Sequence, residues 1–203
     1  MRKYLTRKTE IESSFKVRAD TLGEQFTTAC EEASAYNEDM KKSKIAAARG
    51  AYITALKSAR NLAVSMEETM FNDARDELTA VLTKAPTPAQ ASYLQALALL
   101  SEPTPDDIEK AVQVAKGNAI AEQVVAEMAK KVRGVIFAEP DPIDLRATLD
   151  GLDEFEQRRA ESIMRYGEVD ALGELNNWHD ICFTPNSSCS ALDALDEAIE
   201  RYA

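Results

Sequence analysis

Histidine occurs once in this chain, at His179, beside Asp180 and within a few residues of Cys182 and Cys189. Imidazole, thiolate and carboxylate are the donors that hold zinc. The spacing H-x-x-C-x6-C, however, matches no common zinc frame, and no second ligand pair lies nearby. We therefore read Trp178, Ile181, Cys182 and Phe183 as anchors that pin the last loop to the core, and assign no metal and no cofactor. A single histidine excludes other chemistry too. A histidine-aspartate phosphohydrolase needs further histidines, and a di-iron bundle needs Glu-x-x-His on two helices, a motif this chain lacks. A Ser-His-Asp or Cys-His site would have to use His179, and a neighbour in sequence such as Asp180 does not orient it, because adjacent side chains on a helix diverge.

Carboxylates are the other chemically capable groups. Glu67 and Glu68 with Asp73 and Asp76, or Asp193, Asp196, Glu197 and Glu200, resemble the sets that bind magnesium in helical nucleotide pyrophosphohydrolases. That resemblance implies the alternative function, a magnesium-dependent nucleotide hydrolase using helix carboxylates. Their spacing alone predicts solvated helix faces, and there is no phosphate-binding glycine loop. No catalytic residue is assigned.

The elements that would position these groups are helices of two styles. Residues 1 to 85 contain no proline and only two glycines, Gly23 and Gly50, whereas all seven prolines fall between Pro86 and Pro185. Proline inside a helix costs about 3 kcal/mol, so its absence permits very long helices. The expected fold is all-α: a long amino-terminal amphipathic helix or helical hairpin (1–85), coiled-coil-like, followed by a compact acidic module of short helices (86–203). Tyr4, Phe15 and Phe26 are eleven apart, as are Ile11, Leu22 and Ala33, a period of three turns that keeps one stripe on one face. A second stripe runs through Met40, Ala48, Tyr52, Leu56, Ala59, Ala63, Met66, Met70, Ala74, Leu78 and Val81. Between them, residues 37 to 43 offer no strong apolar anchor and are read as a turn or kink.

Beyond Pro86, Thr87-Pro88 and Thr104-Pro105 are helix starts with threonine caps, predicting helices over about 88–101 and 105–116. Gly117 and Asn118 separate these from a third, about 119–133. Together they form a small three-helix core. Val135-Ile136-Phe137 is read as an apolar linker. A helix opening at Asp141-Pro142 runs to about Arg165, a short one spans 168–178, and a last one spans Ala191–Tyr202 with Ser190 as its cap.

The net charge is −11. It is concentrated after Gly134, where 16 acidic residues face five basic ones, so direct nucleic-acid binding by that part is not expected. There is no run of 18 apolar residues and no signal-peptide pattern, and three cysteines make no disulfide framework, which together predict a soluble protein of the cell interior with no membrane contact.

The charged opening stretch from Lys8 to Leu82, the segments Ala-Pro-Thr-Pro-Ala-Gln-Ala-Ser-Tyr-Leu-Gln-Ala-Leu and Pro-Thr-Pro-Asp-Asp-Ile-Glu, and Lys-Gly-Asn-Ala-Ile-Ala carry a resemblance in style over residues 1 to 133. The chain resembles the all-helical structural-cassette proteins of tailed bacteriophages, of scaffold, connector or minor virion type. The resemblance implies a non-enzymatic virion structural or assembly protein, in the cytoplasm during assembly and then in the virion. A scaffolding protein of that type ends in a basic coat-binding helix, whereas this chain ends in the acidic stretch Leu192 to Arg201. A cellular helical adaptor is a further reading. The opening stripe, longer than the remaining chain is expected to cover, predicts a homo-oligomer joined through Tyr4, Ile11, Phe15, Leu22 and Phe26. The acidic residues Asp193, Asp196, Glu197 and Glu200 on the last helix, with Asp153, Glu154 and Glu161 on an earlier one, are the expected contacts to proteins with basic surfaces.

Overall fold

The computed structural model describes residues 2–132, 145–167 and 189–203. It is all-α, with helices α1 (Lys3–Ala33), α2 (Glu38–Leu82), α3 (Pro88–Ala98), α4 (Pro105–Ala115), α5 (Ala119–Ala129), α6 (Leu145–Arg165) and α7 (Cys189–Tyr202) among the described residues. The linker at 135–137 and the helix expected over 168–178 lie outside them.

The chain divides into two compact units, each drawn from separated stretches. One holds Lys3–Asn72 and Leu152–Ser190; the other holds Met1–Arg2, Asp73–Gly151 and Ala191–Ala203. The division passes within α2 and within α6.

In the first unit, α1 and α2 form an antiparallel hairpin. The turn comes at residues 34–37, a little before the expected 37–43, because Asn37 acts as a helix cap: its side-chain oxygen accepts from the Met40 N–H at 3.0 Å. Glu38 and Asp39 then place negative charge in the first turn of α2, where the helix dipole favours it. Phe26 stacks on Tyr52 with ring centroids 5.3 Å apart, which folds α1 back along α2. Helix α2 runs unbroken through Gly50 for 45 residues, about 67 Å at 1.5 Å per residue. Helix α6 closes this unit. Phe155 meets Phe71 edge-on at 5.8 Å and Tyr166 meets Phe15 at 5.4 Å, so its apolar stripe of Leu152, Phe155, Ile163 and Tyr166 is buried.

The second unit contains the expected three-helix core, in which Leu94 and Leu97 of α3, Ile108, Ala111 and Ala115 of α4, and Ala121, Val125 and Ala129 of α5 form one cluster. Leu99 and Leu100, just beyond α3, and Ile120 and Val124 of α5 are exposed. Helices α3, α4 and α5 each start where their cap chemistry says they should. Thr87 and Gln90 exchange hydrogen bonds as a capping box, as do Thr104 and Asp107. Gln90 also donates to the Val114 carbonyl at 2.9 Å, joining the start of α3 to the end of α4. Gly117 adopts φ +79°, which only glycine takes at little cost. Asn118 caps α5 and donates from its amide to the Lys84 carbonyl at 2.9 Å. Helix α7 starts at Cys189, so Ser190 lies inside it and is not its cap. It buries Leu192, Leu195, Ala198 and Tyr202.

Replacing Thr87 by alanine is expected to cost about 1 kcal/mol in urea unfolding through loss of the cap. The Thr104 hydroxyl, and then its N–H, hold the Asp107 carboxyl below its ordinary value of 3.8. A lowered carboxyl contributes stability above that value and loses it as pH falls through the folded-state value. Thr104→Ala should therefore move the Asp107 titration upward in a carbon-detected NMR experiment; an unmoved titration means that the box does not form in solution.

Candidate functional site

The apolar stripes of the first unit carry three charged residues at positions that face inward. On α1 the stripe Tyr4, Ile11, Phe15 includes Lys8; on α2, Glu67 lies between Ala63 and Met70; on α6, Arg159 lies between Phe155 and Ile163. Glu67 is 2% exposed and Arg159 4%. Burying an ion alone costs several kcal/mol, so such groups must meet opposite charge. They do. The Arg159 guanidinium reaches Glu67 Oε1 at 2.7 Å with one terminal nitrogen and Glu12 Oε1 at 2.6 Å with the other. Lys8 reaches Glu12 Oε2 at 3.1 Å from one turn away on the same helix. The contact to Glu67 is an aligned hydrogen bond, whereas that to Glu12 Oε1 is a close ion pair without hydrogen-bond alignment. Two cations and two carboxylates make the group neutral, and it joins α1, α2 and α6 at one level.

At Glu67 burial works against the charge. Burial pushes its carboxyl up, against the pull of the Arg159 charge and hydrogen bond. Its second oxygen, Oε2, is buried without a hydrogen-bond partner among the described residues. The chemistry on offer here is electrostatic: the group holds three helices in one register.

About two turns further along α6, its carboxyl end is tied down as firmly. Arg60 donates two hydrogen bonds to the Tyr166 carbonyl, at 3.1 and 2.6 Å, placing a cation on the negative end of the helix dipole. The Tyr166 hydroxyl donates to Asp20 at 2.7 Å, and the Tyr52 hydroxyl donates to the Gly167 carbonyl at 2.8 Å. Gly167 has φ +74°, and a Cβ there would stand 3.0 Å from the Tyr52 hydroxyl oxygen, so both conformation and space call for glycine. Burial, the largest influence, raises the Tyr52 hydroxyl above its ordinary value.

In the second unit, Glu122 of α5 is the corresponding node. It accepts from the Gly117 N–H at 3.0 Å and the Tyr202 hydroxyl at 2.9 Å, and pairs with Arg201. This secures α7 to the start of α5.

The residues singled out from sequence fall differently. Tyr4, Ile11, Phe15 and Phe26 are buried in the chain's own first unit, and Leu22 is half-buried. Phe26 is covered by Tyr52 of α2 and Phe15 by Tyr166 at the end of α6. Asp196 is buried and Asp193 half-buried, with Arg2 Nε 3.3 Å from its carboxylate, so neither faces solvent as expected; Glu197 and Glu200 do. Asp153, Glu154 and Glu161 of α6 are exposed, Glu154 pairing with Arg158 at 3.1 Å. Of the acidic set on α2, Glu67 is committed to Arg159, whereas Glu68, Asp73 and Asp76 are exposed. His179 and Cys182 lie outside the described residues; Cys189 is the first residue of α7. Among the described residues no group of three or more His, Cys, Asp or Glu is placed to hold a metal ion, and no helix is long and apolar enough to cross a membrane.

Sequence reading missed Lys8, Glu12 and Arg159, and placed Glu67 on a solvated helix face where it is buried. The available signal was position: each of Lys8, Glu67 and Arg159 sits three or four residues from apolar neighbours on both sides within a buried stripe.

Removing Arg159 tests the group. Arg159→Met strands Glu67 and is expected to cost about 3–5 kcal/mol in urea unfolding at pH 7. A carboxyl raised above its ordinary value of 4.5 binds its proton more tightly folded than unfolded, so the penalty of the charged form grows as pH rises through the folded-state value. The deficit of Arg159→Met against wild type should thus shrink between pH 7 and pH 5, and adding Glu67→Leu should recover part of it. A deficit that is independent of pH would exclude the charge account.

Comparison with protein-family models, with curated protein sequences and with solved structures returned no match to this chain.

Proposed function

We propose that this chain is a non-enzymatic assembly protein that works by self-association and by contact with other proteins, of the type its sequence resembles in the structural cassettes of tailed bacteriophages. The observation that carries this reading is apolar surface left in solvent after the cores are filled. Singly exposed apolar residues are ordinary. On α2, however, Leu62 and Met66 lie one turn apart and are 52% and 44% exposed, and the same face continues through the small residues Ala48, Ala51 and Ala55. Two large apolar side chains left exposed one turn apart are the kind of surface that another protein covers. The buried ion group supports the reading from the other side, since its charges serve to hold helices in place.

The second contact surface is acidic. Glu197 and Glu200 on α7, and separately Asp153, Glu154 and Glu161 on α6, remain exposed and suit a protein with a basic face. Asp193 and Asp196 are withdrawn from that set by their burial. The magnesium-hydrolase alternative loses its central ligand, because Glu67 is held by Arg159.

The test is co-expression of the tagged chain with the products of its flanking genes. Capture of one of them is expected, with association slowed by Glu197→Gln/Glu200→Gln and by raising salt toward physiological strength, where screening acts over about 8 Å. Purified protein with magnesium should leave nucleoside triphosphates intact. Magnesium-dependent turnover, with no flanking product captured, would overturn the proposal.

A further inference from the structure

From Ala85 to Ser101 there is no Asp, Glu, Lys or Arg, in a chain of which 29% is charged. Helix α3 lies inside that run. It turns Leu94 and Leu97 into the three-helix core, whereas Ala89, Ser92, Ala96 and Leu99 form its outward face and are exposed. A face that only meets water needs charge for solubility, as on α6 with Asp153, Glu154 and Glu161; a face without charge is the mark of an interface centre. Leu99 is 86% exposed and Leu100 47%. Their backbone is held in place, because the Leu99 N–H donates to the Gln95 carbonyl at 3.2 Å and the Leu100 N–H to the Leu97 carbonyl at 3.1 Å.

This face complements itself. About the level of Leu94, Leu99 mirrors Ala89 and Ser92 mirrors Ala96. A second copy laid antiparallel across it seats each Leu99 on the other copy's Ala89, and the small side chains between them let the helix axes approach to the usual distance of about 8–10 Å. The charges just beyond agree. Glu102 and Asp106 stand at the carboxyl end of α3, where the chain turns into α4, and Lys116 stands at its amino end, because Gln90 holds the end of α4 there through the Val114 carbonyl at 2.9 Å. All three are exposed, and all lie with α3 in the unit that contains Asp73–Gly151. A two-fold axis in the contact plane, perpendicular to α3, sets the α4 side of one copy against the α4 side of the other, so each Lys116 comes to the other copy's Glu102 and Asp106. An isologous contact requires such a patch. Parallel pairing would bring the two acidic ends together, which is penalised.

We infer that the outward face of α3 is an isologous interface, and that its occupant is the α3 of a second copy of this chain, running antiparallel. This rests on the self-association reading above and gives it a second surface, in the other compact unit from Leu62 and Met66. The apolar contribution comes from Leu99 of each copy, with Leu100 beside the other's Pro88. The exposed charge pairs set direction more than affinity. The paired length from Pro88 to Leu100 is about 18 Å, and a contact that short belongs to the weak, reversible class.

Sedimentation of the full chain from micromolar concentrations upward tests it, with wild type beside Leu62→Glu, which takes the apolar pair of α2 out of the count. Leu62→Glu should still show a reversible dimer. Adding Leu99→Glu should raise its dissociation constant at least about tenfold while leaving the circular-dichroism melt in place, since Leu99 is exposed and outside the core. Adding Lys116→Glu instead should weaken the dimer, most at low salt, and Glu102→Lys on top of it should recover part of the loss, because the opposite charges then meet again in the antiparallel sense. A Leu62→Glu chain that is monomeric overturns the inference, and so does one whose association ignores Leu99→Glu and the charge reversals. If wild type self-associates in either case, the broader self-association reading stands on another surface. A wild type that remains monomeric overturns both. Failure to capture a flanking gene product, by contrast, bears on the assembly reading alone.

Discussion

The arginine at position 159 sets the constraint that the first unit has to satisfy. A buried guanidinium must be met by negative charge, and here two carboxylates from two different helices meet it, Glu12 of α1 and Glu67 of α2. Apolar stripes by themselves tolerate sliding by one helical turn, about 5.4 Å, because one aliphatic residue replaces another. An ion pair at 2.7 Å does not. The contacts on either side agree with the register it imposes: Phe155 meets Phe71, Arg159 meets Glu67 and Tyr166 meets Arg60, so each step down α6 is a step up α2. Replacing a buried pair by apolar residues is often neutral for stability. The gain here is therefore better sought in specificity, one alignment of three helices selected over its slipped neighbours.

How far these features could be read from sequence depends on whether their causes are local. Helix starts at Pro88, Pro105 and Ala119 follow from Thr87, Thr104 and Asn118, whose caps act within three residues, and the structure has them in place. The hairpin turn falls a few residues before 37–43 because Asn37, at the start of that range, is a helix cap. The buried ions were not found, because burial was judged from hydrophobicity. Met66 was placed in the α2 stripe, yet it is exposed, and its neighbour Glu67 occupies the core position. A carboxylate is credible there only when an arginine 92 residues later is known to arrive opposite it, and no periodicity reports that.

The same non-locality bears on the opening stripe. Tyr4, Ile11, Phe15 and Phe26 do form one stripe, as their spacing says, but spacing does not identify what covers it. Residues 152–167, on the far side of the short helices, return to pack against the hairpin, with Tyr166 on Phe15 and Asp20. Both compact units are assembled from separated stretches in this way, and the first proline marks a change in helix length.

Helix α2 then has two kinds of surface with different demands. Its inner face is specified by charge at Glu67 and by aromatic contacts at Tyr52 and Phe71, and it tolerates little change. The outer face needs none of this for folding, since Leu62 and Met66 add only modest burial within the monomer. In a monomer polar residues would serve at 62 and 66 at least as well, because half-exposed aliphatic carbon lowers solubility and returns little packing energy. The apolar carbon left at 62 and 66 is what the proposed self-association would cover.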